Sequence, residues 1–365
     1  MRMCDTPPAL EAAASELAGA ERVFVDTEFE SRREGSTLCL LQISRGQQVF
    51  LVDALALADL APLRSVLEAS EWVLHAGRED VPLIASRVGI AAPPAIFDTQ
   101  IAWALLGPEH SVSLPYLVYR VLGIRTGKAH QTDDWLRRPL PASQLAYAAG
   151  DIEHLPAIFA ELEGRADELG RAAIARQASA EAVWPAAEPP GSLSLDSFRN
   201  AWQLDPESQA ALRFIIDWYN GLSPAERARA PEQKTLLAIA SRLPESGVDL
   251  ARIKGVPKRF AAEQGNRFAG MLMRATAQAN AKDFVPIDPP PYATFEDILL
   301  DGWLADVRAR LCAEVGVAPE LVLPNRVLRK IRGAIQESGN RAAGASALDG
   351  WRSALLAEPL SRMIT

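Results

Sequence analysis

Cysteine and histidine are scarce in this 365-residue chain, with three of the first and four of the second. Cys4, Cys39 and Cys312 stand far apart without metal-ligand spacing, so reduced thiols are expected rather than a disulfide framework or a zinc site. Any metal would have to be held by carboxylates. Long apolar runs are also missing, and none reaches the ~18 residues of a membrane span. The opening Met1–Pro8 lacks the apolar stretch of a secretory signal. A soluble, cytoplasmic protein with no membrane partner is the expectation. Nor is there an excess of positive charge. The net charge is −8, which taken alone argues against a nucleic-acid partner, although its distribution matters more. Residues 1–180 carry 16 Lys and Arg against 24 Asp and Glu, whereas residues 181–365 carry 22 of each. The surplus acid therefore lies wholly in the N-terminal half. Local basic groups in the other half are Lys254, Lys258, Arg259, Arg267 and Arg274, then Arg326, Arg329, Lys330 and Arg332. Such groups either hold phosphates or line solvated helix faces.

What is present is a hydrophobic fraction of 48%, enough for packed cores, and a length that suits two or three domains. The first half alternates in type. Arg22–Asp26, Thr37–Ser44, Gln48–Asp53, Glu71–His75 and Ala95–Asp98 read as strands, with Gly46 marking a tight hairpin between the second and third. Asp59–Ala69, Glu79–Val88, Thr99–Leu106, Leu114–Leu122 and Ala142–Ile158 read as helices, the last continuing to Gln177 with breaks at Pro156 and Gly170. This is a mixed α/β sheet flanked by helices. Proline-rich stretches then divide the chain. The expected order is an α/β domain over 1–180, a linker over 181–195, a helical domain over 196–282, a Pro-rich linker over 283–293 and a second helical domain over 294–365. The aromatics of the helical part (Phe214, Trp218, Tyr219, Trp303, Trp351) fall at apolar-face spacings and are expected in cores.

Two short segments carry chemistry. Asp26-Thr27-Glu28 follows the apolar run Val23-Phe24-Val25; residues two apart on a strand share a face, so both carboxylates can converge on one cation. Tyr147 and Asp151 lie in a helical stretch at an i, i+4 spacing, again on one face. With one further acid, such a set suits a pair of hard divalent ions, which points to a metal-dependent nuclease. Asp80 opens a helix and is either that further acid or a simple cap, with Glu79 as the rival ligand. His75, after an apolar run, suits a satisfied sheet-end histidine better than a ligand.

Val25-Asp26-Thr27-Glu28-Phe29, Leu41-Gln42-Ile43, His75-Ala76-Gly77-Arg78-Glu79-Asp80, Asp98-Thr99-Gln100, Asp134–Leu140 and Tyr147-Ala148-Ala149-Gly150-Asp151 occur in that order. Over about residues 20–165 the chain resembles bacterial ribonuclease D, of the tyrosine subtype of the DEDD exonuclease superfamily. Segments 196–281 and, more loosely, 295–364 resemble the helicase-and-RNase-D C-terminal (HRDC) domain. The resemblance implies a ribonuclease H-like catalytic fold. It also implies two Mg²⁺ or Mn²⁺ ions held by Asp26, Glu28, Asp80 and Asp151, with Asp26 bridging and Tyr147 orienting the attacking water. The implied activity is 3′→5′ removal of nucleoside 5′-monophosphates from RNA with a free 3′ end, tRNA precursors among them, by a monomer.

Substrate contacts are expected at Gln42, near the terminal nucleotide, and at Trp135 and Arg138, where an aromatic beside a guanidinium suits stacking and phosphate contact. The competing reading of that pair is a packing motif with an internal Arg–carboxylate bond. Lys254-Gly255-Val256-Pro257-Lys258-Arg259 joins a turn to a basic helix start, where a phosphate could sit; the plain alternative is a tight interhelical turn. Two other functions fit the same metal motif: a 3′→5′ exonuclease acting on DNA, and a catalytically silent RNA-binding protein. The presence of all four acids and the tyrosine weighs against silence.

Overall fold

The computed structural model describes the whole chain except residues 33–34, 127–132, 185–192, 228, 279–286, 288, 290–291, 293 and 365. The two Pro-rich linkers read from the sequence lie largely outside the described residues. The chain divides into two compact units, Met1–Ala186 with Phe295–Thr365, and Ala187–Thr294.

The first unit is built on a six-stranded mixed sheet in the order β1-β4-β3-β2-β5-β6. Its strands are β1 (Arg2–Cys4), β2 (Arg22–Arg32), β3 (Gly35–Ser44), β4 (Val49–Asp53), β5 (Glu71–Leu74) and β6 (Ile96–Asp98). Helices α1 (Pro7–Leu17), α2 (Arg64–Ala69), α3 (Asp80–Val88), α4 (Thr99–Ala104), α5 (Leu114–Leu122), α6 (Ala142–Glu153), α7 (Leu155–Glu168) and α8 (Ala172–Val183) cover it. Strand β2 runs six residues beyond the expected end at Asp26. The apolar signal stops at Val25, but antiparallel pairing with β3 carries the strand through the polar residues, with Asp26 opposite Gln42 and Glu28 opposite Leu40. The hairpin at Gly46 is present, with φ +120° at that glycine. Strand β1 and helix α1 carried too short a pattern to be read from the sequence. The breaks expected at Pro156 and Gly170 separate α6, α7 and α8, because Pro156 at the start of α7 cannot continue the ladder of α6 and Gly170 turns with φ +66°.

Alternation along β2 sorts its side chains between two cores. Val23 and Val25 join Leu41, Ile43, Trp72 and Leu74 under α1 and α3. Phe24 joins Leu40, Leu51, Val73 and Phe97 under α6 and α7, through Ala148, Ile152, Ile158, Phe159 and Leu162. Asp26 and Glu28 continue the Phe24 side, so the strand period points them at α6. Each fully buried Leu or Ile on either side contributes roughly 1.5–3 kcal/mol, which keeps the register from slipping.

The second unit contains α9 (Pro206–Asn220), α10 (Pro224–Arg227), α11 (Gln233–Arg242), α12 (Gly247–Ala251) and α13 (Lys258–Gln278), and no strand among its described residues. Asp205 caps α9 by accepting from the Ser208 amide at 2.8 Å. Leu212, Ile215, Leu236, Ile239, Phe260 and Phe268 form its core, with Trp218 edge-on to Phe268 at 4.7 Å. A Cβ on Gly265 would stand 2.8 Å from the Gly247 Cα, so only glycine lets α12 and α13 approach so closely.

The last helices are α14 (Phe295–Val315), α15 (Pro319–Val322), α16 (Asn325–Ser338), α17 (Ala343–Ser346) and α18 (Gly350–Ile364). They share a continuous core with the sheet domain, in which Leu304, Leu311, Val322, Ile331, Trp351 and Leu356 are buried. The Ala318 amide donates to Ala104 O at 2.7 Å, and Arg171 donates to both Leu105 O (2.7 Å) and Val315 O (2.6 Å). Glu181 on α8 accepts from Arg352 (2.6 Å) and the Trp351 indole (2.7 Å) and pairs with Arg326. No described helix is long and apolar enough to cross a membrane.

Candidate active site

Helix α6 packs across β2, β3 and β4, which sets Tyr147 and Asp151 over the polar stretch of β2. Asp26, Glu28 and Asp151 each offer an oxygen, and these three atoms lie within 4.8 Å of one another. Asp80, in the first turn of α3, stands outside that trio: it accepts a hydrogen bond from the Thr27 hydroxyl, and its charge is felt by Asp26 and Glu28. Thr27 alternates with Asp26 and Glu28 and so faces α3. It was the middle letter of a motif read for its ends, and only the strand period signalled it. Tyr147 hydrogen-bonds Asp151.

Crowding of like charge away from water shapes the electrostatics. Burial, then the charges of Asp80, Asp151 and Glu28, raises Asp26 well above the usual carboxylate range. Burial, then Asp151 and Asp80, pushes Glu28 up to about 8. Burial raises Asp80 to about 6 despite the Thr27 hydrogen bond, and raises Asp151 to about 6 despite the Tyr147 hydroxyl and nearby His154. Tyr147 is raised by burial and by the charge of Asp151. Four carboxyls whose ionisation is opposed by burial and by one another's charge are a site that a hard cation would stabilise.

The remaining sequence candidates are placed differently. Gln42 is fully buried opposite Asp26, and its amide lies close enough to Glu28 to ease that carboxyl. Within ordinary hydrogen-bond geometry its Oε1 meets no donor, and its Nε2 faces Glu28 only loosely. Trp135 is 2% exposed, its ring centroid 6.5 Å from that of Tyr147 and its indole N–H unpartnered. Arg138 forks onto Asp53, Nε to Oδ2 at 2.6 Å and Nη2 to Oδ1 at 2.7 Å. It also donates to Trp135 O (2.8 Å) and Cys39 O (2.9 Å), which is the internal Arg–carboxylate alternative. Burial alone would raise Asp53, but Arg138 together with the Ala56 and Leu55 amides outweighs it and holds the carboxyl low.

His75 is packed as a satisfied histidine, Nε2 3.0 Å from Val112 O and Nδ1 2.9 Å from the Thr99 hydroxyl. Lys254 and Lys258 are exposed at the turn into α13, while Arg259 pairs with Glu263 at 2.8 Å. In the last helices Arg326, Lys330 and Arg332 are spent on Glu181, Asp349 and the Asp297/Asp301 pair.

Comparison with known proteins agrees with this arrangement. A family profile described as 3′-5′ exonuclease matches residues 1–167. A ribonuclease D of Pseudomonas paraeruginosa is 30% identical over 80% of this chain and 78% of its own. One of Gluconacetobacter diazotrophicus is 32% identical over 85% of this chain and 80% of its own. The crystal structure of Escherichia coli RNase D has the same fold, with a TM-score of 0.75 at 22% identity over 99% of this chain and 97% of that one.

Proposed function

The chain belongs to the ribonuclease D family, and we propose that it is a 3′→5′ exoribonuclease in which Asp26, Glu28, Asp80 and Asp151 hold two divalent ions, Mg²⁺ or Mn²⁺. The observation that carries this reading is the meeting of three carboxylate oxygens within 4.8 Å, with Asp80 against Thr27 beside them. Carboxylates are the ligands such ions favour, and the buried Gln42 amide adds a polar group beside Glu28.

Bound divalent ions would supply Lewis-acid stabilisation of phosphate charge and acidification of water. The chain's own residues do the rest. Asp26, which feels the other three acids, is the proposed shared ligand. Tyr147 keeps its proton because burial and Asp151 raise it further, so it is no general base at neutral pH. Its hydroxyl instead orients the attacking water, and Asp151, one turn on, fixes its direction. Trp135 packs beside Tyr147, and Arg138 pins the 135–138 segment to Asp53, so both shape the pocket from within.

The proposed substrate is RNA with a free, unpaired 3′ end, including tRNA precursors and other small structured RNAs, with action as a cytoplasmic monomer. The relatives named ribonuclease D support an RNA substrate. The helical segment 196–282 is the proposed HRDC-like auxiliary domain. Its exposed Lys254 and Lys258, with Arg259, would meet RNA phosphates at the start of α13. The segment 294–365 is proposed as a divergent relative of that domain, fused to the catalytic core.

Product analysis tests the reading. RNA with an unpaired 3′ tail should yield nucleoside 5′-monophosphates from the first minutes, and a matched DNA strand should be consumed more slowly. Short oligonucleotides or nucleoside 3′-monophosphates as first products would contradict it.

A further inference from the structure

Asp80 differs from its three partners in how it is mounted. Asp26 and Glu28 stand on a strand held in the ladder by β3, and Asp151 stands within a helix laid across the sheet. Asp80 is the first residue of α3 and follows directly on the turn His75–Glu79. That turn carries an unfavourable conformation, because Ala76 has φ +57°, a left-handed geometry that an alanine adopts at a cost. The next residue is Gly77, where a Cβ would stand 2.4 Å from Leu74 Cδ1 and would oblige that side chain to shift.

One buried side chain holds this turn. Asp98, 1% exposed at the end of β6 and level with Leu74 in the parallel register, accepts from Ala76 N through Oδ1 and from Gly77 N through Oδ2, both at 3.0 Å. The same Oδ1 caps α4 by accepting from Gln100 N at 2.8 Å and Ile101 N at 3.4 Å. The Asp98 backbone is fixed in turn, its amide donating to the Ser179 hydroxyl at 2.9 Å. A single carboxylate therefore joins β6, α4 and the turn that launches Asp80, while the Thr27 hydroxyl receives the far end of Asp80.

We propose that Asp98 is a positioning residue for metal binding: by clamping the left-handed Ala76 turn it delivers Asp80, against the Thr27 stop, to the acid cluster without touching metal or RNA itself. The inference rests on the metal-dependent reading above. Groups that orient metal ligands typically change metal affinity or activity by about 10–100-fold when altered, and the effect here belongs to that class.

The test compares Mn²⁺ binding to the full chain, by calorimetry or by the free-ion electron paramagnetic resonance signal, with RNA degradation. Asp98→Asn keeps the shape but sets an N–H₂ against a backbone N–H. Asp98→Ser keeps a short cap for α4 and releases only the turn, so it covers the case in which the asparagine variant does not fold. Either folded variant should weaken Mn²⁺ binding about tenfold or more. Raised Mn²⁺ should recover most of kcat, and KM for RNA should stay within twofold. Adding Ala76→Gly to Asp98→Ser, which keeps the left-handed turn accessible without the clamp, should recover part of the lost affinity. Thr27→Val should weaken the same binding step, and Thr27→Ser should not. Wild-type Mn²⁺ affinity in a folded Asp98 variant overturns the proposal, as does a kcat loss that metal cannot restore. If the wild-type chain binds no Mn²⁺ and degrades no RNA, the metal-dependent reading itself fails.

Discussion

Glu181 should be the main polar fastening between the last helices and the sheet domain, and removing its charge should destabilise the whole unit. Its carboxylate accepts from Arg352 and the Trp351 indole at 2.6 and 2.7 Å and pairs with Arg326. Burial alone would raise it; the hydrogen bonds from Arg352 and Arg326 overcome that and lower it to about 2. A depression of that size corresponds to about 3 kcal/mol at neutral pH, and solvent screening of the exposed third of the side chain reduces this to about 2 kcal/mol. Glu181→Gln should therefore cost about 2 kcal/mol, and Glu181→Ala about 3, since it also strands Arg352, whose side chain is 5% exposed. The sign with pH follows from the lowered value. The contribution is fully present above the unfolded carboxylate range and is lost as pH falls through the folded value. The gap between wild type and Glu181→Gln should thus narrow by about 1 kcal/mol between about pH 6 and pH 3.5. Denaturant unfolding read by tryptophan fluorescence, with hydrogen exchange at α8 and α18, measures it. A cost below about 0.5 kcal/mol at pH 7, or a gap that does not change with pH, would refute the reasoning.

Two further outcomes are expected. Metal-free protein should lose stability as pH rises from the ordinary carboxylate range through about 6 and about 8, because Asp80, Asp151 and Glu28 hold protons more tightly folded than unfolded; Mn²⁺ should restore more of Tm at the alkaline end, and equal restoration at both ends would contradict the cluster's charge state. Arg138→Lys should cost about 2–3 kcal/mol by losing the fork onto Asp53 while leaving KM for RNA within twofold; a tenfold rise in KM at unchanged Tm would make Arg138 a substrate contact instead.

Legibility in the sequence followed how local each signal was. Alternation at Val23, Phe24 and Val25 and the i, i+4 spacing of Tyr147 and Asp151 are local, and both sets fall where the periods put them. The course of β2 beyond Asp26 was not legible, because the partner strand rather than apolar content keeps Thr27 to Arg32 in the ladder. Roles that arise from contacts distant in sequence were hidden for the same reason. Arg138 and Asp53 are 85 residues apart, Thr27 and Asp80 are 53 apart, and nothing in either segment names the other. The basic cluster on α16 was legible as charge but not as ion pairs, since its carboxylates come from α8, α14 and the turn before α18. Fusion of the last helices with the sheet domain likewise depends on apolar faces whose partners lie more than a hundred residues away.

The central claim, a carboxylate-held metal centre that removes nucleotides from the 3′ end of RNA, is tested most directly by a time course on 5′-labelled RNA with an unpaired 3′ tail. Wild type and Asp26→Asn are followed with Mg²⁺ or Mn²⁺ and with EDTA. The account predicts a ladder that shortens one nucleotide at a time, disappears in EDTA, and slows by at least about a thousandfold in the folded variant. A ladder that persists in EDTA, or one that Asp26→Asn leaves unchanged, would contradict it.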